Sequence, residues 1–476
     1  MVARSFKYNF VWNSSYQVVR ILLPLVTTPY LARVLGSEQM GIYSYTFAIA
    51  NFTHLLCLLG LNQYGNREIA KVRDNREELS KTFWSIFVMQ LMVGVVVSLA
   101  YLIYALFLSE EMALYSLIWI VWVGAEAFNV GWFFFGLEEF KTMTIRNLLV
   151  RLFVIIGIFT FVRTEEDLGA YCLLQALSFF ISNAALLPML AKRIDFYRPS
   201  FSEVRKHVLP NLRLFAPIIA ITLYTQLNKV FLGAVSNMSE VAFFDNADKI
   251  ARIPVAVIQS LGVVMLPRMS RVRVSGDGVS AKRYFDQSIW LATILAFGFA
   301  FGISAISPEF IPLFFGPGYE KCSILVPMSA LLLPAIAWSN AFGVQWLIPA
   351  ERDGEYLKTI VLGALVNVIL CVMLVPSLQS IGAGIASVCT EATVTVSQAY
   401  RVRRELSVKK YVIDAIPYAC IGLIMLVAVR FVACLLPASV FGVLLEVLVG
   451  AGVYLAGSIG FLLLARDRRL CLFFRR

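Results

Sequence analysis

Apolar stretches of about 20 residues, the length that carries a helix across a bilayer, run through this chain almost end to end. Fourteen can be marked, near 12–34, 41–63, 83–107, 112–136, 145–162, 169–191, 211–235, 240–265, 284–306, 322–346, 358–377, 381–400, 411–435 and 439–464. The fifth is short and the eighth is the least apolar. No stretch between them is long enough for a globular domain. Composition agrees: 59% of the 476 residues are hydrophobic and 15% are charged, against about 25% charged in soluble proteins, and the mean hydropathy is +0.77. The expected fold is an all-α polytopic membrane protein of about fourteen transmembrane helices. The first apolar segment is too long for a signal-peptide core and leads straight into a second, so it reads as a retained span.

The basic residues orient these helices. With the N-terminus placed inside, 32 of the 41 Lys and Arg fall in inside segments, 3 (Arg33, Arg163 and Lys321) fall in outside loops, and 6 lie within helices. Cytoplasmic loops carry such an excess. Both termini are therefore expected in the cytoplasm, and the net charge of +11 is accounted for without a nucleic-acid partner. The eight cysteines show no CxxC or other ligand spacing, and there are only two histidines, His54 and His207. The cysteines read as small buried hydrophobes. No metal site or cofactor is expected.

Short motifs recur with a period near 200 residues. "SEQMGIYS" (37–44) matches "NMSEVAFF" (237–244), "LGLNQYGNREIAKVR" (59–73) matches "LGVVMLPRMSRVR" (261–273), and "LGAYC" (168–172) matches "IGAGI" (381–385). Their common order implies an N-lobe of helices one to six (1–200), a C-lobe of helices seven to twelve (201–405), and two additional helices with a basic tail (406–476). Six is even, so the lobes share one orientation and are related by a pseudo-twofold axis along the membrane normal, an arrangement suited to alternating access.

Charges inside apolar helices mark candidate sites, because each is costly in lipid. The seventh helix carries Thr222, Thr225, Gln226 and Lys229 on one face, and the eighth carries Asp245, Asp248, Lys249 and Arg252. The first carries Asn13, Gln17, Arg20 and Thr27, with Arg33 near its outer end. Glu126, His54, Glu391, Arg430 and Glu446 are further intramembrane polar groups. A purely structural role competes for several of them. Asp245 with Lys249 and Asp248 with Arg252 are i,i+4 pairs that can neutralise each other, Arg430 can pair with Glu446, and Arg33 can snorkel to the interface. Arg20 and Lys229 have no acid on their own helix. A first helix holding Arg20, Arg33, Pro24 and Pro29 makes sense as a bending wall of a wet, cationic cavity, and such a cavity suits an anionic substrate, above all a phosphate group.

The chain resembles the bacterial polysaccharide transporters, the repeat-unit (O-antigen type) lipid flippases of the multidrug/oligosaccharidyl-lipid/polysaccharide exporter superfamily. The resemblance rests on "LLPLVTTPYLARVLGSEQMGIYSYTFAIANF" (22–52), "LGLNQYGNREIA" (59–70), "VGWFFFGLEEFKTMTIRNLLVR" (130–151), "LYTQLNKVFLGAVSNMSEVAFFDNADKI" (223–250), "FFGPGYEKC" (314–322) and "LIPAERDGEYLKTIVLGALVN" (347–367). Many members have glycine before the aromatic pair of the eighth helix, where this chain has Ala242. The resemblance implies a two-lobed transporter, not an enzyme, that moves undecaprenyl-diphosphate-linked oligosaccharide from the inner to the outer leaflet of the bacterial inner membrane. It implies a cationic central cavity, with Arg20, Arg33, Lys229, Lys249 and Arg252 as substrate-binding candidates. Asp245, Asp248, Glu126 and Glu391 are the acids to test for H⁺ or Na⁺ coupling, and the polysaccharide polymerase machinery is a conceivable partner besides membrane lipid. Three alternatives stay open. A multidrug or cation exporter of the same superfamily would want unpaired acids in its cavity. A membrane-embedded polymerase or ligase would want a sizeable catalytic outside loop, whereas the largest one expected here, 307–321, is short. A scaffold would have no need of buried arginines.

Overall fold

The computed structural model describes residues 2–464 apart from 275–276; for 2–23, for 111, 140 and 217, and for several positions within 263–274, the backbone alone is described. Regular structure among these residues is helical: α1 (Val2–Leu58), α2 (Leu61–Val72), α3 (Arg76–Leu106), α4 (Glu110–Glu126), α5 (Gly131–Gly136), α6 (Phe140–Phe161), α7 (Leu168–Ala184), α8 (Leu187–Leu190), α9 (Phe201–Arg205), α10 (Val208–Val235), α11 (Met238–Ala251), α12 (Val255–Val274), α13 (Gly278–Phe315), α14 (Cys322–Ala330), α15 (Leu332–Ser339), α16 (Asp353–Val402), α17 (Val408–Leu435) and α18 (Val440–Leu464). A π-helical run, Asn340–Leu347, follows α15.

Among the described residues, eleven helical stretches are long and apolar enough to cross a membrane. Two have double length. Pro24–Val72 contains a break at Gly36, whose φ of 73° and ψ of 174° leave the helix in a region that favours a residue without Cβ. Asp353–Val402 contains a break at Gln379, φ 53°. With α11 and α12, which follow one another where the eighth helix is expected and are not among the eleven, these account for the fourteen expected helices. The break inside α1 falls at Gly36, while Pro24 and Pro29 sit within the helical run. One boundary is corrected. The ninth helix was expected to end near 306 and the outside loop to begin at 307, but α13 continues to Phe315, through Pro308 and Pro312. Gly316, with φ 86°, ends it and donates its N–H to the Pro312 carbonyl at 3.0 Å.

Polar helix ends are capped locally. Asn75 accepts hydrogen bonds from the N–H groups of Glu77 and Glu78 at 3.0 and 3.3 Å, and those two acids favour the positive end of α3. Asp277 caps α13 through Ser280 N–H at 2.9 Å.

Contacts group the chain into two units, residues up to Gly233 with Asn237–Ala242, and residues from Phe243 onward with Ala234–Ser236. In the first unit, one core gathers Tyr43, Trp119 and Tyr171, and another gathers Phe83, Trp132, Phe133 and Phe134. In the second, Phe285, Phe342, Trp346 and Tyr411 form one core, and Trp290, Tyr418 and Tyr454 another. Outside these cores, large apolar side chains face outward on helix after helix, including Val96 at 67% exposure, Ile156 at 66%, Met373 at 66% and Phe431 at 68%. A soluble monomer does not expose apolar surface on this scale; in a bilayer these faces meet lipid tails. The protein is a multi-pass membrane protein.

Candidate functional site

In the first unit, Arg20 lies on α1 but its side chain is outside the described residues. Arg33, three residues before the Gly36 break, is exposed. Lys229 is half-buried on α10, as are Thr222, Thr225 and Gln226. Thr225 returns its hydroxyl to the Ile221 and Thr222 carbonyls, both at 3.1 Å, a backbone bond that satisfies the hydroxyl inside the helix.

Glu126 ends α4 and is buried. Asn129 Nδ2 donates to its Oε1 at 3.0 Å. Gln90 Nε2 donates to the Glu126 and Asn129 carbonyls, both at 2.9 Å, and Gln90 Oε1 accepts from Trp132 Nε1 at 2.9 Å. This network satisfies the carbonyls freed where α4 stops, as a helix end inside a membrane requires. Glu126 Oε2 has no hydrogen-bond partner among the described residues. The sequence marks Glu126 as an intramembrane acid and Trp132 as part of the 130–151 motif, but not their partners Gln90 and Asn129; a glutamine inside the apolar run of α3 is the available signal.

In the second unit, both i,i+4 pairs of α11 form. Lys249 Nζ lies 2.6 Å from Asp245 Oδ2, and Arg252 Nε reaches the two Asp248 oxygens at 2.7 and 2.8 Å. Asp245 is buried while Lys249 is exposed, so the pair spans from the packed side of the helix to its open side. Glu391 is buried on α16 and lies near Tyr356 on the same helical run. Arg430 does not take Glu446 as its hydrogen-bonded acid. Its guanidinium binds Glu309 on α13 at 2.5 Å and the Ala305 carbonyl at 3.3 Å, because the extension of α13 beyond 306 brings Glu309 to α17. Glu446, buried on α18, lies close enough to feel both charges.

One contact joins two of the repeated motifs. Ser37 Oγ lies 3.0 Å from Ser239 Oγ. A Cβ added at Gly41 would sit 1.7 Å from the Met238 carbonyl oxygen, and one at Gly233 would sit 2.1 Å from the Tyr45 ring. The meeting of α1 with α10 and α11 therefore depends on small residues and one hydroxyl pair.

Outside the spans, the segment before α10 is lashed to α3. Arg76 holds Asp195 through two bonds of 2.8 and 2.7 Å, Trp84 Nε1 donates to the Asp195 carbonyl at 3.0 Å, and Lys81 Nζ lies 3.0 Å from Glu203. The Ser200 backbone N–H, then Lys81, hold the Glu203 carboxyl down at about 2. Burial holds His207 down at about 4.

Two units whose described regular structure is helical, with spans of membrane length in each, have the form of a multi-span membrane protein. By sequence it belongs to the family described as "Polysaccharide biosynthesis protein", whose match covers residues 6–273, more than half of the chain. Among its relatives, a putative O-antigen transporter of Escherichia coli (strain K12) is 25% identical over 399 residues, 82% of this chain and 95% of that protein. The probable low-salt glycan biosynthesis flippase Agl15 of Haloferax volcanii is 21% identical over 388 residues, 80% of each chain. The fold is shared with the lipid II flippase MurJ in its inward closed conformation, at a TM-score of 0.74 and 14% identity over 95% of this chain and 99% of that one. It is also shared with an inward-facing multidrug resistance MATE family transporter of the MOP superfamily, at a TM-score of 0.63 and 13% identity over 84% and 99%.

Proposed function

We propose that this protein is a flippase that carries lipid-linked oligosaccharide repeat units, undecaprenyl-diphosphate-linked, from the inner to the outer leaflet of the bacterial inner membrane. Membership of the polysaccharide family and relatives named as transporters and flippases support this reading. The structural observation that carries it is the Ser37–Ser239 and Gly41–Met238 contact. A neutral hydroxyl pair contributes about 1 kcal/mol net, so on this reading the hydroxyl bond itself opposes a movement of α11 against α1 only weakly.

The N-lobe (1–200) and C-lobe (201–405) would rock around a cationic cavity. Arg20, Arg33, Lys229, Lys249 and Arg252 would replace water around the diphosphate, while the polyprenyl tail stays in lipid. Both termini are cytoplasmic on this reading. Moving two negative charges out of a negative interior is favoured by ~4.6 kcal/mol per 100 mV. The α11 pairs give ion coupling a concrete form. Protonation of Asp245 or Asp248 would release Lys249 or Arg252 for the diphosphate, and departure of the substrate would let the pairs close again. Glu126 and Glu391 are the other acids of this reading, and the polysaccharide polymerase machinery is the partner that would take the flipped unit.

The test is a strain lacking the gene. Lipid-linked repeat units should accumulate on the cytoplasmic face, with surface polymer lost. Unpolymerised units on the outer face in normal amount would replace this reading by a polymerase or ligase.

A further inference from the structure

A cavity of ≈ 770 Å³ opens between the first turns of α13 and α17. It lies within the second unit and belongs to none of the charge sites above. Its ionisable lining is Lys282, Arg283 and Asp286 from α13 with Lys410 and Asp414 from α17, and Trp290 forms part of the inner wall. The volume suits a small-molecule group.

Two features give the cavity its chemistry. The first is charge. Three bases face two acids, and the Asp286 carboxylate already accepts the Tyr411 hydroxyl. Lys282, Arg283 and Lys410 form no ion pair among the described residues. The formal excess is one positive charge. An excess of this sign suits an anion. The second feature is the outer surface. Next to the cavity lining, α17 presents Val412, Ile413 and Ile416 outward at 47%, 54% and 54% exposure. A polar, cationic recess therefore adjoins a face built for acyl chains. On the inner wall, Trp290 Nε1 donates to the Tyr418 hydroxyl at 2.8 Å.

We propose that this cavity binds the phosphodiester headgroup of an anionic glycerophospholipid, with Lys282, Arg283 and Lys410 on the phosphate and the acyl chains along the outer face of α17. The bound lipid would clamp α17 to α13. The site is separate from the transported diphosphate, and the inference does not depend on the transport reading.

The experiment uses the full chain in nanodiscs of phosphatidylcholine with or without phosphatidylglycerol. Phosphatidylglycerol should stay bound to the protein in native mass spectrometry and raise its thermal midpoint. The triple variant Lys282→Gln, Arg283→Gln, Lys410→Gln should lose most of the bound lipid and the shift, while Lys282→Arg with Lys410→Arg should keep both. A control that removes three exposed charges elsewhere, Lys192→Gln, Arg198→Gln, Arg205→Gln, should behave as the unmodified protein. Equal retention by the cavity variant, or equal loss by the control, overturns the proposal. Displacement of phosphatidylglycerol by added undecaprenyl diphosphate also overturns it, assigning the cavity to the transported lipid. Should the triple Gln variant fail to fold, the single variants Lys282→Gln and Lys410→Gln decide: each should weaken retention, and no change in either overturns the proposal.

Discussion

The Tyr64 hydroxyl lies 2.6 Å from Nδ1 of His207, buried, and ties the first turn of α2 to the segment that leads into α10. His207 Nε2 has no hydrogen-bond partner among the described residues. Burial favours the neutral ring and moves its pKa from the ordinary 6.5 to about 4. In the unfolded chain the same ring takes up a proton below about 6.5. Its contribution to stability is therefore complete above that pH and is lost progressively as pH falls from about 6.5 towards 4. We expect the thermal midpoint of the detergent-solubilised protein to drop across this window, and His207→Gln to flatten the drop. An equal slope in the variant would assign the acid sensitivity to other groups.

Cysteines at 37 and 239 should form a disulfide, because the two hydroxyl oxygens stand 3.0 Å apart. In a background lacking the native cysteines, oxidation of Ser37→Cys with Ser239→Cys should stop surface-polymer export, and reduction should restore it. Gly41→Val should prevent the closed contact from forming, since its Cβ would meet the Met238 carbonyl at 1.7 Å. Cross-linking yield in the triple variant measures this, and an unchanged yield would show that α11 moves aside without cost.

The α11 pairs can be separated into charge and position. Asp245→Asn leaves Lys249 without its 2.6 Å partner and should lower export, or abundance, or both. The exchange Asp245→Lys with Lys249→Asp keeps the pair and should recover abundance. If Lys249 also binds substrate, export stays low in the exchanged protein, because the base now sits on the buried side. Export that tracks immunoblotted abundance through the series would reduce the pair to a structural brace.

Arg430 is the cation of a cluster that also holds Glu309 and Glu446. Removing one partner of a buried ion pair typically costs about 3–5 kcal/mol. The Arg430 side chain is 36% exposed, so the cost of Arg430→Leu should fall below that range. Arg430→Leu with Glu309→Gln should recover much of the loss. Thermal unfolding of the four proteins forms the double-mutant cycle; a coupling near zero would show that the 2.5 Å contact contributes nothing.

Much of the architecture is legible in the residue string because membrane helices are a local solution. In lipid each backbone N–H and C=O must be bonded internally, and a helix achieves this within four residues. Hence the runs of about 20 apolar residues locate the helices, and the i,i+4 spacing of Asp245 with Lys249 and of Asp248 with Arg252 foretells pairs that form at 2.6 and 2.7 Å. The break between the first two apolar runs, 12–34 and 41–63, also shows in the sequence; the chain turns there at Gly36, with φ 73°, and not at Pro24 or Pro29.

Partner choice across the fold was decided by tertiary packing. Arg430 takes Glu309, 121 residues away, and not Glu446. Tyr64 takes His207 at a separation of 143, and Ser37 takes Ser239 at 202. No local rule selects among such partners, since each depends on how far a helix runs before it ends and how it is rotated about its axis. The run of α13 past Pro308 and Pro312 to Gly316 is the clearest case. Proline disrupts a helix in isolation, but protein packed around a membrane helix can satisfy the backbone it frees. That packing, absent from the sequence pattern, puts Glu309 within reach of Arg430.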